Sequence, residues 1–137
     1  MRILGLDHLV LRAADPERMI DFYCGVLGCT VDRRVDALGL IHLRAGRSMI
    51  DLITLDGPLG RAGGAAPGAE ARNLDHFCLR IEPFDEIALR ERFRGHGIDL
   101  GEVHMNYGAE GQGPSVYLTD PEGNVVELKG PAGQPGA

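Results

Sequence analysis

The spacing of apolar and polar positions divides the chain into two halves with the same predicted order of elements. In the first half, strand-like alternation and one helical period predict β-α-β-β-β, with elements at about residues 6–12, 15–28, 30–35, 38–44 and 48–55. The helix is predicted from an apolar stripe at helical spacing, formed by Met19, Phe22, Tyr23 and Val26. Asp15 as N-cap, followed by proline, suits its start.

The second half repeats this order after a stretch rich in glycine and alanine. Residues 57–73 have no periodicity and predict a mobile linker. The elements beyond it are a strand carrying His76, a helix from Pro83 to about Arg94, and strands at 115–119 and 125–129. Residues 101–114 predict a long loop or a loose hairpin, and the tail from Gly130 is expected to be frayed.

Two motifs recur at corresponding points of the halves, so coincidence explains them poorly. Leu6–Arg12 and Leu74–Arg80 share Leu-Asp-His, two apolar residues and Leu-Arg, with five identities in seven positions. A short apolar strand with a central carboxylate closes each half, at Asp51 and at Glu127. The sequence therefore predicts one α+β domain over residues 1–137, made of two tandem βαβββ modules at about 4–56 and 74–129.

One face of the predicted strands is apolar and suits helix packing, whereas the other collects polar side chains. Those side chains are His8, Arg12, His42, Arg44, Asp51, His76, Arg80, Ser115, Tyr117 and Glu127. A merely solvated face is the alternative, but it does not explain an imidazole at the same place in both halves. A curved sheet lined in this way would form a pocket, whose convergent titratable groups are a candidate site.

Metal binding gives His8, His76 and Glu127 a reason to stand together. Neutral imidazole and ionised carboxylate suit Ni, Zn, Co, Mn or Fe(II), and an ion with few protein ligands keeps positions open for a substrate. Asp51 is the fourth candidate ligand, one methylene shorter than a glutamate. A structural or exposed imidazole is the alternative for a histidine outside the repeat, such as His42.

Two further residues of the polar face have alternative roles. Tyr117 either donates a hydrogen bond in the pocket or is an ordinary strand aromatic. Arg12 either holds a substrate carboxylate or pairs with an aspartate.

Composition narrows the classes of partner. The formal net charge of −6 argues against nucleic acid and anionic membranes, which need clustered Lys and Arg. No apolar run reaches membrane-spanning length, and the N-terminus shows no secretory signal, so a cytoplasmic protein is expected. Cys24, Cys29 and Cys78 are expected to be reduced core residues.

Together these motifs resemble the vicinal oxygen chelate superfamily, which includes glyoxalase I, extradiol dioxygenases, and fosfomycin- and bleomycin-resistance proteins. The matching pieces are Leu6–His8, Ile20–Tyr23 with Val26–Gly28, Leu74–His76, and the turn Asp120–Asn124 leading to Val126–Leu128. The resemblance covers nearly the whole chain except the linker and the tail.

The resemblance implies two βαβββ modules forming a curved, incomplete barrel-like mixed sheet, with helices on the outer face, around a divalent metal ion. In glyoxalase-like relatives two chains form a homodimer with composite sites, so His8 and Asp51 of one chain would meet His76 and Glu127 of its partner. The metal would bind two neighbouring oxygens of a small-molecule substrate, and Glu127 would abstract a proton to give an enediolate. This describes a glyoxalase-I-like lyase or isomerase.

Two alternatives follow from the same residues. Without Asp51, the set His8, His76 and Glu127 resembles the Fe(II) triad of extradiol ring-cleaving dioxygenases, with His42 or Tyr117 handling protons or oxygen. A non-catalytic binding or resistance protein is the other alternative, although such relatives typically lose the metal ligands that this chain retains.

Overall fold

The computed structural model describes residues 1–135 of the chain, which separate into two compact units, residues 1–71 and the part from Arg72 onward. Gly136 and Ala137, the end of the tail expected to be frayed, lie outside the described residues. No helix in the described part of the chain is both long enough and apolar enough to span a membrane.

The first unit has the predicted β-α-β-β-β order, with one short helix added at its end. Its elements are β1 (His8–Ala13), α1 (Pro16–Ile20), a π-helical segment (Asp21–Val26), β2 (Thr30–Val35), a 3₁₀ turn (Asp36–Leu38), β3 (Leu40–Ala45), β4 (Ser48–Thr54) and α2 (Pro58–Arg61). The sheet order is β1-β4-β3-β2. β1 runs parallel to β4, while β3 is antiparallel to both β4 and β2.

The helix of the first unit starts where the capping residues predict. The Asp15 side chain accepts a hydrogen bond from the backbone N–H of Arg18, and Pro16 occupies the first helical turn. After Ile20 the helix widens into the π-helical segment, and Gly28 at φ 86° follows its end. The predicted apolar stripe is buried, as are residues of the sheet's apolar face, Leu11, Leu43, Ile50 and Leu52.

The second unit repeats the arrangement. Its elements are β5 (Phe77–Arg80), α3 (Glu86–Gly95), β6 (His104–Gly108), β7 (Gly111–Thr119) and β8 (Val125–Lys129). The sheet order β5-β8-β7-β6 copies the first unit, with β5 parallel to β8. The predicted helix begins at Glu86, later than Pro83, because Asp85 caps it by accepting from the N–H of Ala88.

The stretch predicted as a loop or loose hairpin is a regular hairpin. Strands β6 and β7 pair in unbroken register from His104 and Ser115 to Gly108 and Gly111. The sequence pattern obscures β7 because glycine and proline occupy its first half, although they are poor strand formers. Each unit thus contains a four-stranded mixed sheet with few helices, and the predicted α+β class is confirmed.

The first part of the stretch predicted as a linker contains regular structure. α2 lies within residues 57–73, and the Arg12 guanidinium donates to the backbone oxygens of Gly60 at 3.1 Å, Ala65 at 3.0 Å and Gly64. A Cβ atom on Gly60 would lie 1.9 Å from the backbone oxygen of Thr54. Glycine is therefore required here for close approach, which composition alone cannot distinguish from flexibility.

Candidate functional site

His76 and Glu127 meet at one end of the second sheet. Glu127 lies on β8 opposite Cys78 of β5, and His76 stands immediately before β5 rather than within it. The imidazole Nε2 is 3.3 Å from the Glu127 Oε2. Glu127 is only 6% exposed, whereas the His76 side chain is about one-third exposed. The two most strongly predicted metal ligands of this half are therefore in contact.

A network of hydrogen bonds holds the Glu127 carboxylate. Asn106 on β6 reaches across the sheet, and its Nδ2 lies 2.7 Å from Ser115 Oγ, 2.9 Å from the Tyr117 hydroxyl and 3.2 Å from Glu127 Oε1. The Ser115 hydroxyl and the Cys78 thiol also donate to the carboxylate. Amide, hydroxyl and thiol donors thus converge on one buried acid.

These donors decide the charge of Glu127. Burial by itself raises the pKa of the carboxyl, but the hydrogen bonds from Ser115, Asn106 and Cys78 and the nearby His76 outweigh it. The pKa of Glu127 consequently lies below its ordinary value, and the group is ionised at neutral pH. An anchored, ionised carboxylate is the form that a divalent metal binds.

Tyr117 stands beside this pair in its protonated form. Its ring meets the His76 imidazole edge-on, with centroids 5.5 Å apart. Burial, and then the negative charge of Glu127, raise the pKa of the Tyr117 hydroxyl. At neutral pH the phenol is therefore a hydrogen-bond donor.

Cys78 departs from the expectation that the cysteines are core residues. Cys29 is buried and Cys24 half-buried, but Cys78 is exposed on the polar face; all three are free thiols. Desolvation, with the charge of Glu127 adding to it, raises the pKa of the Cys78 thiol to about 12. The thiol therefore acts here as a donor to Glu127 rather than as a thiolate.

In the first unit, the Asp51 side chain is hydrogen-bonded to the His42 side chain. The two residues are directly opposite on the antiparallel strands β4 and β3, and the Asp51 Oδ1 lies 2.8 Å from the His42 Nδ1. Asp51 is 4% exposed, so this is a buried carboxylate with an imidazole partner. The sequence pattern placed both residues on the polar face but did not indicate that they pair.

His8 and His76 are oriented in the same way by the residue before them. His8 Nδ1 lies 2.7 Å from Asp7 Oδ1, and His76 Nδ1 lies 2.6 Å from Asp75 Oδ2. The hydrogen bond that the His8 Nδ1 donates to the Asp7 carboxylate is the main reason that the pKa of His8 is raised, with partial desolvation opposing it and Asp51 adding to it. Because Nδ1 is occupied, Nε2 is the ring nitrogen left available to a metal ion in both imidazoles.

Arg12 does not lie free for a substrate. Its guanidinium donates to the backbone oxygens of Gly60, Gly64 and Ala65, as described above. The structure therefore gives Arg12 a role in holding the segment after β4. Neither of its two expected partners, a substrate carboxylate or an aspartate, is needed to explain its position.

The donor chemistry of the second unit fits a divalent ion. Two ligand atoms at roughly 2.1 Å from one metal, at angles of about 90–110°, are roughly 3.0–3.4 Å apart. The distance between His76 Nε2 and Glu127 Oε2 falls in that range. Over residues 1–135, no group of three or more His, Cys, Asp or Glu side chains is arranged to hold an ion, so these two side chains would supply only part of a ligand set.

Sequence reasoning missed Asn106 and underrated Cys78. Asn106 lies in the stretch predicted as a long loop or a loose hairpin, a prediction that assigned it to no strand face, whereas the structure places it on β6. Cys78 follows His76 by two positions, the spacing that puts two side chains on the same face of a strand. This spacing in the sequence indicates that Cys78 lies on the polar face with His76.

Comparison with known proteins shows the family of this chain. A family model described as the Glyoxalase/Bleomycin resistance protein/Dioxygenase superfamily matches residues 5–128. The catechol-2,3-dioxygenase of Bacillus subtilis (strain 168) is 28% identical over 126 residues, which are 91% of this chain. The chain spans only 40% of the length of that dioxygenase. Virulence protein STM3117 of Salmonella typhimurium is 30% identical over 130 residues, covering 93% of this chain and 85% of that protein.

Solved structures share the fold. An integron cassette protein from the mobile metagenome of V. cholerae has a TM-score of 0.74 at 27% identity, covering 95% of this chain and 97% of its own. Lactoylglutathione lyase from Agrobacterium tumefaciens has a TM-score of 0.67 at 23% identity, with coverage of 95% and 96%, which shows the fold alone. The match over residues 5–128 establishes that the chain belongs to the Glyoxalase/Bleomycin resistance protein/Dioxygenase superfamily.

Proposed function

We propose that this protein is a metal-dependent enzyme of the glyoxalase-like kind, a lyase or isomerase acting on a small molecule with two neighbouring oxygens. The observation that carries the proposal is the contact between His76 Nε2 and the buried, ionised Glu127. A bound divalent ion would supply Lewis-acid stabilisation of negative charge developing on the substrate oxygens. His8, Asp51, His76 and Glu127 are the residues proposed to hold it.

Glu127 is also proposed to accept the transferred proton. A general base must be deprotonated at the working pH, and the lowered pKa of Glu127 meets that requirement. The same hydrogen bonds weaken its basicity, so at least one donor has to turn away as the proton arrives. The Ser115 hydroxyl and the Cys78 thiol are such donors, because each rotates about a single bond.

Tyr117 is proposed to donate a hydrogen bond to the substrate. Its raised pKa keeps the phenol protonated, and its edge-on contact with His76 supports a role beside the proposed ligands His76 and Glu127. A donor at this point would stabilise negative charge on a substrate oxygen in the transition state.

One observation favours a second candidate, an Fe(II) extradiol-type ring-cleaving dioxygenase. Asp51 is engaged by His42, and if that bond persists, His8, His76 and Glu127 remain as a two-His-one-carboxylate set. His42 would then be an imidazole oriented by a buried aspartate, an arrangement suited to proton transfer. The relative from Bacillus subtilis that is named a catechol-2,3-dioxygenase gives this candidate additional weight.

Metal content separates these proposals. Protein purified without added metal is analysed for divalent ions in the wild type, Asp51→Ala and His76→Ala, with Asp99→Ala as a matched control at an exposed site. About one ion per chain, lost in both Asp51→Ala and His76→Ala, supports the four-ligand lyase or isomerase. Iron retained in Asp51→Ala but lost in His76→Ala supports the dioxygenase. No ion in any variant, including the control, contradicts both and favours a binding protein.

Activity is then tested with one probe for each reaction. Dihydroxyacetone in deuterated water reports proton transfer next to a carbonyl, since exchange removes its C–H signal from the proton spectrum. Catechol in an oxygen electrode reports ring cleavage as oxygen uptake. Exchange that Glu127→Gln abolishes supports the first proposal, whereas oxygen uptake without exchange supports the second.

We also propose that two chains form a homodimer whose sites combine His8 and Asp51 of one chain with His76 and Glu127 of the other. Mixing His8→Ala and His76→Ala proteins tests this. Subunit exchange would rebuild one intact site in each mixed dimer, so about half of the dimers would regain metal binding at one of two sites. Metal content that stays at the level of the separate variants contradicts shared sites.

A further inference from the structure

We propose that the second unit binds a carboxylate of a small organic acid in the cavity beside Glu127, through Lys129. Lys129 is the only lysine in a chain that otherwise relies on arginine for positive charge. It is 6% exposed, and it lines a cavity of about 250 Å³ together with Arg80 and Glu127. This inference rests on the proposed function, because it places the acid group next to the proposed reactive centre.

Burial of an ammonium group is unfavourable unless polar partners compensate it. The Lys129 Nζ donates to the backbone oxygen of Gly111 at 3.0 Å. The ion pairs among residues 1–135 do not include Lys129. An ammonium group carries three donors, so a neutral carbonyl leaves both donor capacity and positive charge for a ligand.

The surroundings of Lys129 are shaped for its side chain. A Cβ atom on Gly108 would lie 3.0 Å from the Lys129 Cε, and one on Gly113 would lie 2.7 Å from Nζ. The side chain therefore occupies a trough that exists because two residues of the β6–β7 hairpin lack side chains. A lysine threaded along such a trough is held in place rather than extended into solvent.

Register places this charge at a fixed step from the metal-ligand pair. Glu127 pairs with Cys78 across the parallel strands, and the pair two residues further along the same strand face is Lys129 with Arg80. Residues two apart on a strand share a face and are roughly 6.6 Å apart. The polar face thus carries a negative charge at Glu127 and, one pair further along the strands, the two positive charges of Lys129 and Arg80.

Of these two cations, Arg80 is already paired with carboxylates. Arg80 Nε lies 2.7 Å from Glu110, and its terminal nitrogen lies 3.4 Å from Glu82. Within residues 1–135 Lys129 has no such pair, so it is the stronger attractor for an incoming carboxylate. A substrate would place its neighbouring oxygens toward Glu127 and its carboxylate toward Lys129, which fits a short organic acid in a cavity of this size.

The single lysine makes the test direct. Metal-free protein labelled with ¹³C,¹⁵N-lysine gives one lysine side-chain signal, which is followed by NMR during titration with succinate, succinamide or sodium chloride. We expect a saturable shift of the Lys129 signal with succinate alone. A shift of the same size with sodium chloride would mean an adventitious ion only, and an equal shift with succinamide or no shift at all would also overturn the proposal.

Variants connect the signal to the site. In Lys129→Met, followed through the backbone amides of Gly108 and Gly111, the Kd for succinate should rise roughly 10- to 100-fold, the effect of losing one charged hydrogen bond. Arg80→Gln is a second variant in the same cavity, at a more exposed position, and serves as the comparison if Lys129→Met folds poorly. It should raise the Kd for succinate less than Lys129→Met does. Unchanged affinity in a folded Lys129→Met protein overturns the inference.

His76→Ala separates this inference from the proposed function. That variant should lose metal yet keep succinate binding, because the titration uses metal-free protein. If the wild type binds succinate through Lys129 but holds no metal, the carboxylate site stands and the metal-dependent enzyme falls. If metal binds and succinate does not, the reverse holds.

Discussion

His76, immediately before β5, and Glu127, in the middle of β8, lie in contact, with the imidazole Nε2 3.3 Å from the carboxylate Oε2. The contact joins a residue of the repeated Leu-Asp-His motif to the carboxylate that closes the same half of the chain. The contact is not a chance meeting of two exposed side chains. Glu127 is buried, and its carboxylate accepts hydrogen bonds from donors on three strands. We therefore expect the stability of this unit to change with pH mainly through the ionisation of Glu127.

Glu127 should make the folded protein sensitive to acid. Because its pKa is lowered from 4.5 in the folded state, its contribution to stability is present above that value and is lost as pH falls through the lower folded pKa. Glu127→Gln lacks this titration and leaves the surrounding donors poorly matched. We expect the wild type to be more stable near neutrality and the gap to narrow in acid.

Urea unfolding of both proteins, between about pH 6 and pH 3, measures this change. Ser115→Ala removes one donor to the same carboxylate, so it should show a smaller version of the effect. Curves for the wild type and Glu127→Gln that stay parallel over the whole range would contradict the assignment of Glu127 as the stabilising acid.

The aspartates before the two histidines should tune metal affinity without binding the ion. Asp7 and Asp75 accept from Nδ1 and thereby fix which nitrogen of His8 and His76 is free. Loss of such an outer partner weakens metal binding by roughly 10–100-fold. Asp75→Asn and Asp7→Asn are each expected to raise the metal Kd by that factor in a chelator-competition titration.

Asp99→Asn is the matched control, since Asp99 is an exposed aspartate outside both motifs. The Asp7→Asn and Asp75→Asn substitutions should leave the stability of the folded state unchanged, because both aspartates are almost fully exposed. Equal metal affinity in all three variants and the wild type would show that the Asp–His pairs do not orient the ligands.

The pairing of His42 with Asp51 should contribute to the stability of the first unit. Asp51 is buried, so removing its partner in His42→Ala leaves a carboxylate with one hydrogen bond fewer. Such a loss costs about 1–3 kcal/mol. Chemical denaturation should therefore give a lower free energy of unfolding for His42→Ala.

A double-mutant cycle with Asp51→Asn isolates the pair. If the two residues stabilise each other, the double variant is less destabilised than the sum of the single variants. Strict additivity would mean that the contact at 2.8 Å contributes nothing, and that Asp51 is held in place by its burial alone.

The repeat explains why much of the site was predictable from sequence. His8 and His76 share a motif, and alternation along the strands put each histidine and its closing carboxylate on the predicted polar face. The contact between His76 and Glu127 agrees with that prediction. The fold class followed from the same evenly spaced patterns. These features depend on local periodicity, which a sequence displays directly.

Pairing across strands was not predictable in the same way. The bond between His42 and Asp51 depends on the register of β3 against β4, and the position of Asn106 depends on β6 being a strand at all. Glycines obscured that hairpin, although the same glycines make the trough for Lys129. Composition cannot distinguish a glycine that gives freedom from one that allows close approach.

The segment after β4 tests that distinction directly, through two glycines of the predicted linker. Gly60 lies in α2, where an added Cβ would meet the backbone oxygen of Thr54 at 1.9 Å, whereas Gly68 has nothing within 4 Å of that position. Gly60→Ala therefore forces a backbone shift and should destabilise the protein by about 1–3 kcal/mol. Gly68→Ala should leave stability unchanged or raise it by about 0.4–1 kcal/mol, since alanine restricts the unfolded chain.

Denaturant unfolding of the two variants gives these free energies, and limited proteolysis shows where the chain opens. Gly60→Ala should also expose the segment held by Arg12 to cleavage, because the backbone oxygen of Gly60 is one of the acceptors of that guanidinium. Arg12→Met should open the same segment without altering Gly60 itself. Identical behaviour of Gly60→Ala and Gly68→Ala would mean that this stretch is a flexible linker, as its composition suggests, and that the close approach at Thr54 carries no energetic weight.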